Sequence, residues 1–194
     1  MPLLKKPRAQ EKRAVVHLGN YFDIGVANGE VGFASKTRKY AERFPETRFV
    51  GIDIQKLKSD LPNWKQIEAE FISGLKKMPD NSVDIISSEM GLGYYSSNVQ
   101  YAKWLTQRTK LMKRELYTAE VMRLAAKKLK QGGKLMVAVD EIVLPTIRRA
   151  LAEAGFGESK TKIYELKDIE RERTYNFRNP VFAKLKIFQV IARK

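Results

Sequence analysis

The chain has 194 residues, 43% of them hydrophobic, enough to bury one sizeable core and too few for a generous second domain. It has no cysteine and a single histidine, which excludes disulfides, thiolate metal sites, cysteine nucleophiles and any multi-histidine metal centre, and leaves a His-based triad without support. Thirty-seven Lys and Arg against 22 Asp and Glu give a formal charge of +15, which favours a polyanionic partner over a merely solvated surface of the heat-adapted kind, where Glu normally rises with Lys.

The organisation expected is a basic arm over residues 1–18 followed by one domain over 19–194. The arm, with Lys5, Lys6, Arg8, Lys12 and Arg13, lacks the apolar segment of a secretory signal. No later apolar run is long enough to span a bilayer, so a cytoplasmic protein without membrane contact is expected. His17 reads as a bystander at the entry to the first strand.

In chain order, a first strand is expected at residues 21–24. A Gly-rich turn then opens a helix over 30–44, with Phe33, Thr37, Ala41 and Phe44 on one face and Pro45 as its stop. Strands follow at 48–54 and, more weakly, 66–69, before the Pro79-Asp80-Asn81-Ser82 turn; a fourth strand is expected at 83–87. Residues 99–130 read as helix, closed by Gly132-Gly133 ahead of a fifth strand at 134–139. Pro145 sits in the first turn of a helix running to about residue 154, and segments 160–166 and 182–192 read as a terminal strand pair. Strands alternating with helices predict an α/β chain: a Rossmann-like, doubly wound, seven-stranded sheet, mostly parallel with an antiparallel terminal strand.

The chemistry is concentrated after the first expected strand. Phe22-Asp23-Ile24-Gly25-Val26-Ala27-Asn28-Gly29-Glu30 puts glycines where the chain must turn sharply from strand to helix and let backbone N–H groups approach a ligand. A dinucleotide fingerprint counted from Gly25 needs glycine at positions held by Ala27 and Glu30, and a P-loop needs a Gly-Lys-Ser/Thr ending that is missing. One helix later, Val50-Gly51-Ile52-Asp53-Ile54 ends a buried strand on a carboxylate, the group that accepts both ribose hydroxyls of an adenosine.

Together these segments resemble class I S-adenosylmethionine-dependent methyltransferases, whose first motif is an acidic residue followed by Gly-x-Gly-x-Gly, here with Ala27 for the middle glycine. Leu129-Lys130-Gln131-Gly132-Gly133 is similar to the Leu-Lys-Pro-Gly-Gly turn before the family's fifth strand, with Gln131 for proline. The resemblance implies S-adenosylmethionine as cofactor, held by Asp23, Gly25, Ala27, Gly29, Asp53, Ile54, Glu70 and Phe71. Asp23 would lie beneath the methionine moiety and Glu70 would contact the adenine amino group.

Methyl transfer from a sulfonium is a direct displacement, so the enzyme's task is to align acceptor and methyl group and exclude water. The acceptor site is expected after the fourth strand, in Ser87-Ser88-Glu89-Met90-Gly91-Leu92-Gly93-Tyr94-Tyr95, with Glu89 as catalytic carboxylate. This segment has no Asn/Asp-Pro-Pro-aromatic signature, which disfavours methylation of an exocyclic base amine. Lys113-Arg114-Glu115-Leu116, followed by a helix, Gly132-Gly133 and Val139-Asp140-Glu141, partially resembles the tRNA (guanine-N7) methyltransferase family, although that family's Pro-Asp-Pro-Trp-Pro segment is absent.

Lys103, Arg108, Lys110, Lys113 and Arg114 form a candidate phosphate-binding stripe, with Tyr94, Tyr95, Tyr101 and Trp104 available to stack a base. The expectation is an RNA methyltransferase acting on tRNA or rRNA and needing no metal. A small-molecule or protein methyltransferase, and an inactive RNA-binding protein of the same fold, are the alternatives.

Overall fold

The computed structural model describes residues 13–19, 40–53, 61–89, 92, 114–167 and 185–194. Seven strands form one sheet: β1 (Ala14–Leu18), β2 (Arg48–Asp53), β3 (Trp64–Glu68), β4 (Val83–Glu89), β5 (Leu129–Asp140), β6 (Thr161–Glu165) and β7 (Ile187–Arg193). Their order across the sheet is β3-β2-β1-β4-β5-β7-β6. β1 to β5 pair in parallel, and β7 runs antiparallel to both β5 and β6. The expected architecture of a mostly parallel, doubly wound sheet is therefore present.

Alternation along the strands sorts the side chains onto two faces. Val16 and Leu18 of β1, Val50 and Ile52 of β2, Ile86 of β4, and Leu135, Val137 and Val139 of β5 lie on one face. They form a single buried cluster with the apolar sides of three helices, α1 (Phe71–Lys76), α2 (Arg114–Lys128) and α3 (Leu144–Glu153). α3 shows why: Ile147, Ala150 and Leu151 recur at helical spacing and are buried, and Pro145 occupies its first turn. The opposite face carries Val15, Phe49 and Trp64, packed with Ala41 from the helical residues 40–43.

The first strand lies earlier than expected. Ala14-Val15-Val16-His17-Leu18 is a short, apolar, partly β-branched run ended by Gly19, and it occupies the centre of the sheet between β2 and β4. The sheet thus claims residues 14–18 of the expected basic arm; residues 21–24, the expected first strand, lie outside the described residues. α1 is a second departure. Its six residues are too few to show a helical period, and it is held by packing, with Gly74 set so closely on Ile52 that a Cβ there would strike the Ile52 side chain.

The fourth and fifth strands also run further than expected. β5 begins directly after α2 and contains the Gly132-Gly133 turn. Pairing jumps from Val83 with Leu129 to Ile85 with Lys134, so residues 130–133 bulge out of the ladder. Gly132 has φ +77°, and a Cβ on Gly133 would come within 2.8 Å of the Lys130 carbonyl oxygen, which accounts for both glycines.

Candidate active site at the carboxyl edge of the sheet

Strand order reverses between β1 and β4, and in open α/β sheets the crevice at such a switch point, beyond the carboxyl ends of the strands, is where ligands bind. Here it is bordered by the exits of β1, β2 and β4. Gly19 leaves β1 by donating its N–H to the Ile52 carbonyl at 2.9 Å, which ties the exit of β1 to the end of β2. Asp53 is the next and last residue of β2, only 3% exposed, and its carbonyl accepts from the Ala69 N–H at 2.9 Å. The exits of β1 and β3 are therefore both fastened to the end of β2 at Asp53.

Glu89 is the last residue of β4 and pairs with Ala138 of β5, so it stands on the opposite side of β1 from Asp53. The register brings both to the same end of the sheet. Asp23, Gly25, Ala27, Gly29, Ile54, Tyr94, Tyr95, Lys103, Arg108, Lys110 and Lys113, with Tyr101 and Trp104, lie outside the described residues. Arg114 is the first residue of α2.

Glu70 and Phe71 have structural surroundings that sequence spacing does not reveal. Glu70 is 2% exposed and caps α1, its Oε1 accepting from Ser73 N–H at 2.6 Å and its Oε2 from Ile72 N–H at 2.8 Å. Tyr117, on α2, donates its hydroxyl to the same Oε2 at 2.8 Å. Phe71 is fully buried in the main core.

Two further polar groups belong to this end of the sheet. His17 sits in the middle of the sheet, 7% exposed, with Nδ1 2.8 Å from Ser87 Oγ across the β1–β4 pairing. It is a built-in part of the strand pair beneath the switch point rather than a bystander at the strand's entry. Its signal in the sequence is its place inside an apolar run, two residues before Gly19.

Asp140 ends β5, fully buried; its Oδ1 accepts from Ile142 N–H at 2.9 Å and Val143 N–H at 3.0 Å, which shapes the entry to α3. Oδ2 has no hydrogen-bond partner among the described residues. Burial pushes the Asp140 carboxyl above the usual carboxylate range, while the Val143 and Ile142 N–H groups pull it back.

Among the described residues no cluster of His, Asp or Glu is arranged to hold a metal ion, and no helix is long and apolar enough to cross a membrane.

No family model matches the chain, and none of the curated proteins matches it in sequence. Solved structures do resemble it. A methyltransferase described as antibiotic related superposes with a TM-score of 0.53 at 16% identity, over 94% of this chain and 88% of that one. A SAM-dependent methyltransferase from Archaeoglobus fulgidus gives 0.54 at 14% identity, over 94% and 86%. A 16S rRNA (adenine(1408)-N(1))-methyltransferase from Catenulisporales acidiphilia gives 0.53 at 14% identity, over 94% and 85%. The sheet order and these likenesses agree: the chain has the Rossmann-like fold of S-adenosylmethionine-dependent methyltransferases.

Proposed function

We propose that this protein is an S-adenosylmethionine-dependent methyltransferase whose acceptor is RNA, of the tRNA or rRNA class. The observation that carries the first half is Asp53: a carboxylate 3% exposed at the carboxyl end of β2, beside the switch point of a β3-β2-β1-β4-β5-β7-β6 sheet. A carboxylate held at a strand end fits a vicinal diol, because its two oxygens can accept hydrogen bonds from two neighbouring hydroxyls. Bound there, the cofactor supplies an electrophilic methyl group on sulfur. Asp53 is then the proposed ribose contact, Gly25 and Gly29 the proposed cofactor contacts, and Glu89, last residue of β4, the proposed acceptor-site carboxylate.

The second half rests on charge. A formal +15 on 194 residues is an electrostatic footprint suited to phosphates, and Lys110, Lys113 and Arg114, with Tyr94 and Tyr95, are the proposed acceptor contacts. The partial resemblance to tRNA (guanine-N7) methyltransferases and the likeness to an rRNA methyltransferase support the same substrate class.

The experiment is incubation with labelled S-adenosylmethionine and total cellular RNA, protein and metabolite fractions, followed by mass spectrometry of nucleosides. Label in an RNA nucleoside is the expected result. Label found instead in protein or a small molecule overturns the RNA acceptor, and cofactor binding with no transfer to any fraction supports an RNA-binding protein of this fold.

A further inference from the structure

Charge in the described residues is divided along the strand axis. The carboxyl edge of the sheet carries Asp53, Glu68, Glu89 and Asp140 as last residues of their strands. The amino edge is basic. Arg13 precedes β1 and bonds through its carbonyl to the Arg48 N–H at 2.8 Å, so both arginines, each exposed, stand side by side there. Lys134 pairs across the sheet with Arg193, which is exposed near the end of antiparallel β7.

The bulge at residues 130–133 turns this basic edge into a cleft. A cleft of about 250 Å³ is lined by Arg13, Lys130 and Lys134 together with Asp84 and the Gly132-Gly133 turn. Asp84 offsets one of the three cations and leaves two: its carboxylate meets Lys130 Nζ at 3.4 Å, while its Oδ2 also accepts from the Ala14 N–H at 2.7 Å. Asp80 is held by Lys127 at 3.2 Å and by the buried Lys128 at 2.6 Å, and Lys194, whose main-chain oxygen accepts from the Gly132 N–H at 3.2 Å, brings its own ammonium beside the turn, donating to the Leu129 carbonyl at 2.7 Å. What remains facing solvent is an excess of positive charge around a groove with backbone on one wall.

We infer that this amino-edge cleft is a second docking site for the phosphodiester backbone of RNA, on the side of the sheet away from the methyl-transfer site. The inference rests on the reading of the acceptor as RNA. β2 spans the two edges in six residues, or about 17 Å, so a folded RNA larger than the protein reaches both. The basic cleft attracts phosphate at the far edge, in addition to the acceptor contacts proposed at the carboxyl edge. Backbone contacts there set orientation and affinity without reading sequence.

The test is fluorescence anisotropy of a fluorescein-labelled RNA hairpin against full-length protein over a salt series, with S-adenosylmethionine binding measured on the same samples. Arg13→Glu/Lys130→Glu/Lys134→Glu should weaken RNA binding by at least about tenfold and reduce the slope of log K against log salt by about two to three. Cofactor affinity should be unchanged. Arg13→Gln/Lys134→Gln, which keeps the Lys130–Asp84 pair, should weaken binding in the same direction and serves if the triple variant misfolds. Arg148→Glu/Arg149→Glu, exposed on α3, is the control.

Absence of hairpin binding by the wild type, unchanged affinity in the cleft variants, or an equal loss in the α3 control overturns the inference. RNA methylation that persists with unaltered binding in the cleft variants defeats the cleft and leaves the RNA-acceptor reading standing. Loss of binding in those variants, with no RNA nucleoside methylated by the wild type, does the reverse.

Discussion

The Tyr117 hydroxyl donates to Glu70 Oε2 at 2.8 Å, joining two residues 47 positions apart and locking α2 onto the cap of α1. Glu70 lies just beyond β3 at the carboxyl edge, so this bond also anchors the segment that leaves β3 there. Tyr117→Phe removes a hydrogen bond to a buried carboxylate and should cost about 1–2 kcal/mol in urea unfolding. Glu70→Ala, which also loses the helix cap, should cost about 2–3 kcal/mol. Glu70→Gln separates the two uses of the residue. As a cap, it should change stability while leaving S-adenosylmethionine affinity near the wild-type value; a selective loss of affinity at unchanged stability would assign Glu70 to the adenine instead.

Asp140 gives the protein a pH dependence of definite sign. Its folded-state carboxyl lies above the ordinary value of 3.8, chiefly because it is buried, so at a pH between the unfolded and folded values the folded form binds more proton than the unfolded chain. That contribution is fully present below the unfolded value and is lost as pH rises through the folded one. Asp140→Asn keeps an oxygen for the Ile142 and Val143 N–H groups and removes the titration. The variant should be at least as stable as the wild type at neutral pH, with its relative advantage shrinking as pH falls to about 4 in thermal melts. A parallel offset at all pH values would show that the carboxyl does not titrate differently on folding.

Gly74 sits in α1 where a Cβ would strike Ile52, a fully buried residue of β2. Gly74→Ala should therefore destabilise by about 1–3 kcal/mol despite alanine's better helix propensity. Ile52→Ala opens the space, and the double variant should be more stable than the two single losses predict by addition. Additive losses would mean that α1 does not approach β2 this closely.

How much of this is legible in the sequence depends on range. Features that depend on neighbours read correctly: the Gly132-Gly133 turn needs a positive φ and a site without Cβ, Pro145 marks the start of α3, and Asp53 ends a run of buried residues. Residues 14–18 are as apolar as a strand requires, but the glycines at 25 and 29 make residues 21–24 the expected strand. α1 is invisible to periodicity at six residues, and it exists because Phe71, Ile72 and Leu75 find the core. Contacts set by the register of distant strands, such as His17 with Ser87, have no local signature at all.

The role of Asp53 is tested most directly by titrating S-adenosylmethionine into the wild type and Asp53→Ala by calorimetry. The wild type should bind the cofactor, and the variant should lose about 1–3 kcal/mol, or roughly tenfold to a hundredfold in Kd, while keeping its fold. No binding by the folded wild type, or equal affinity in the two proteins, would contradict a cofactor site built on the carboxyl end of β2.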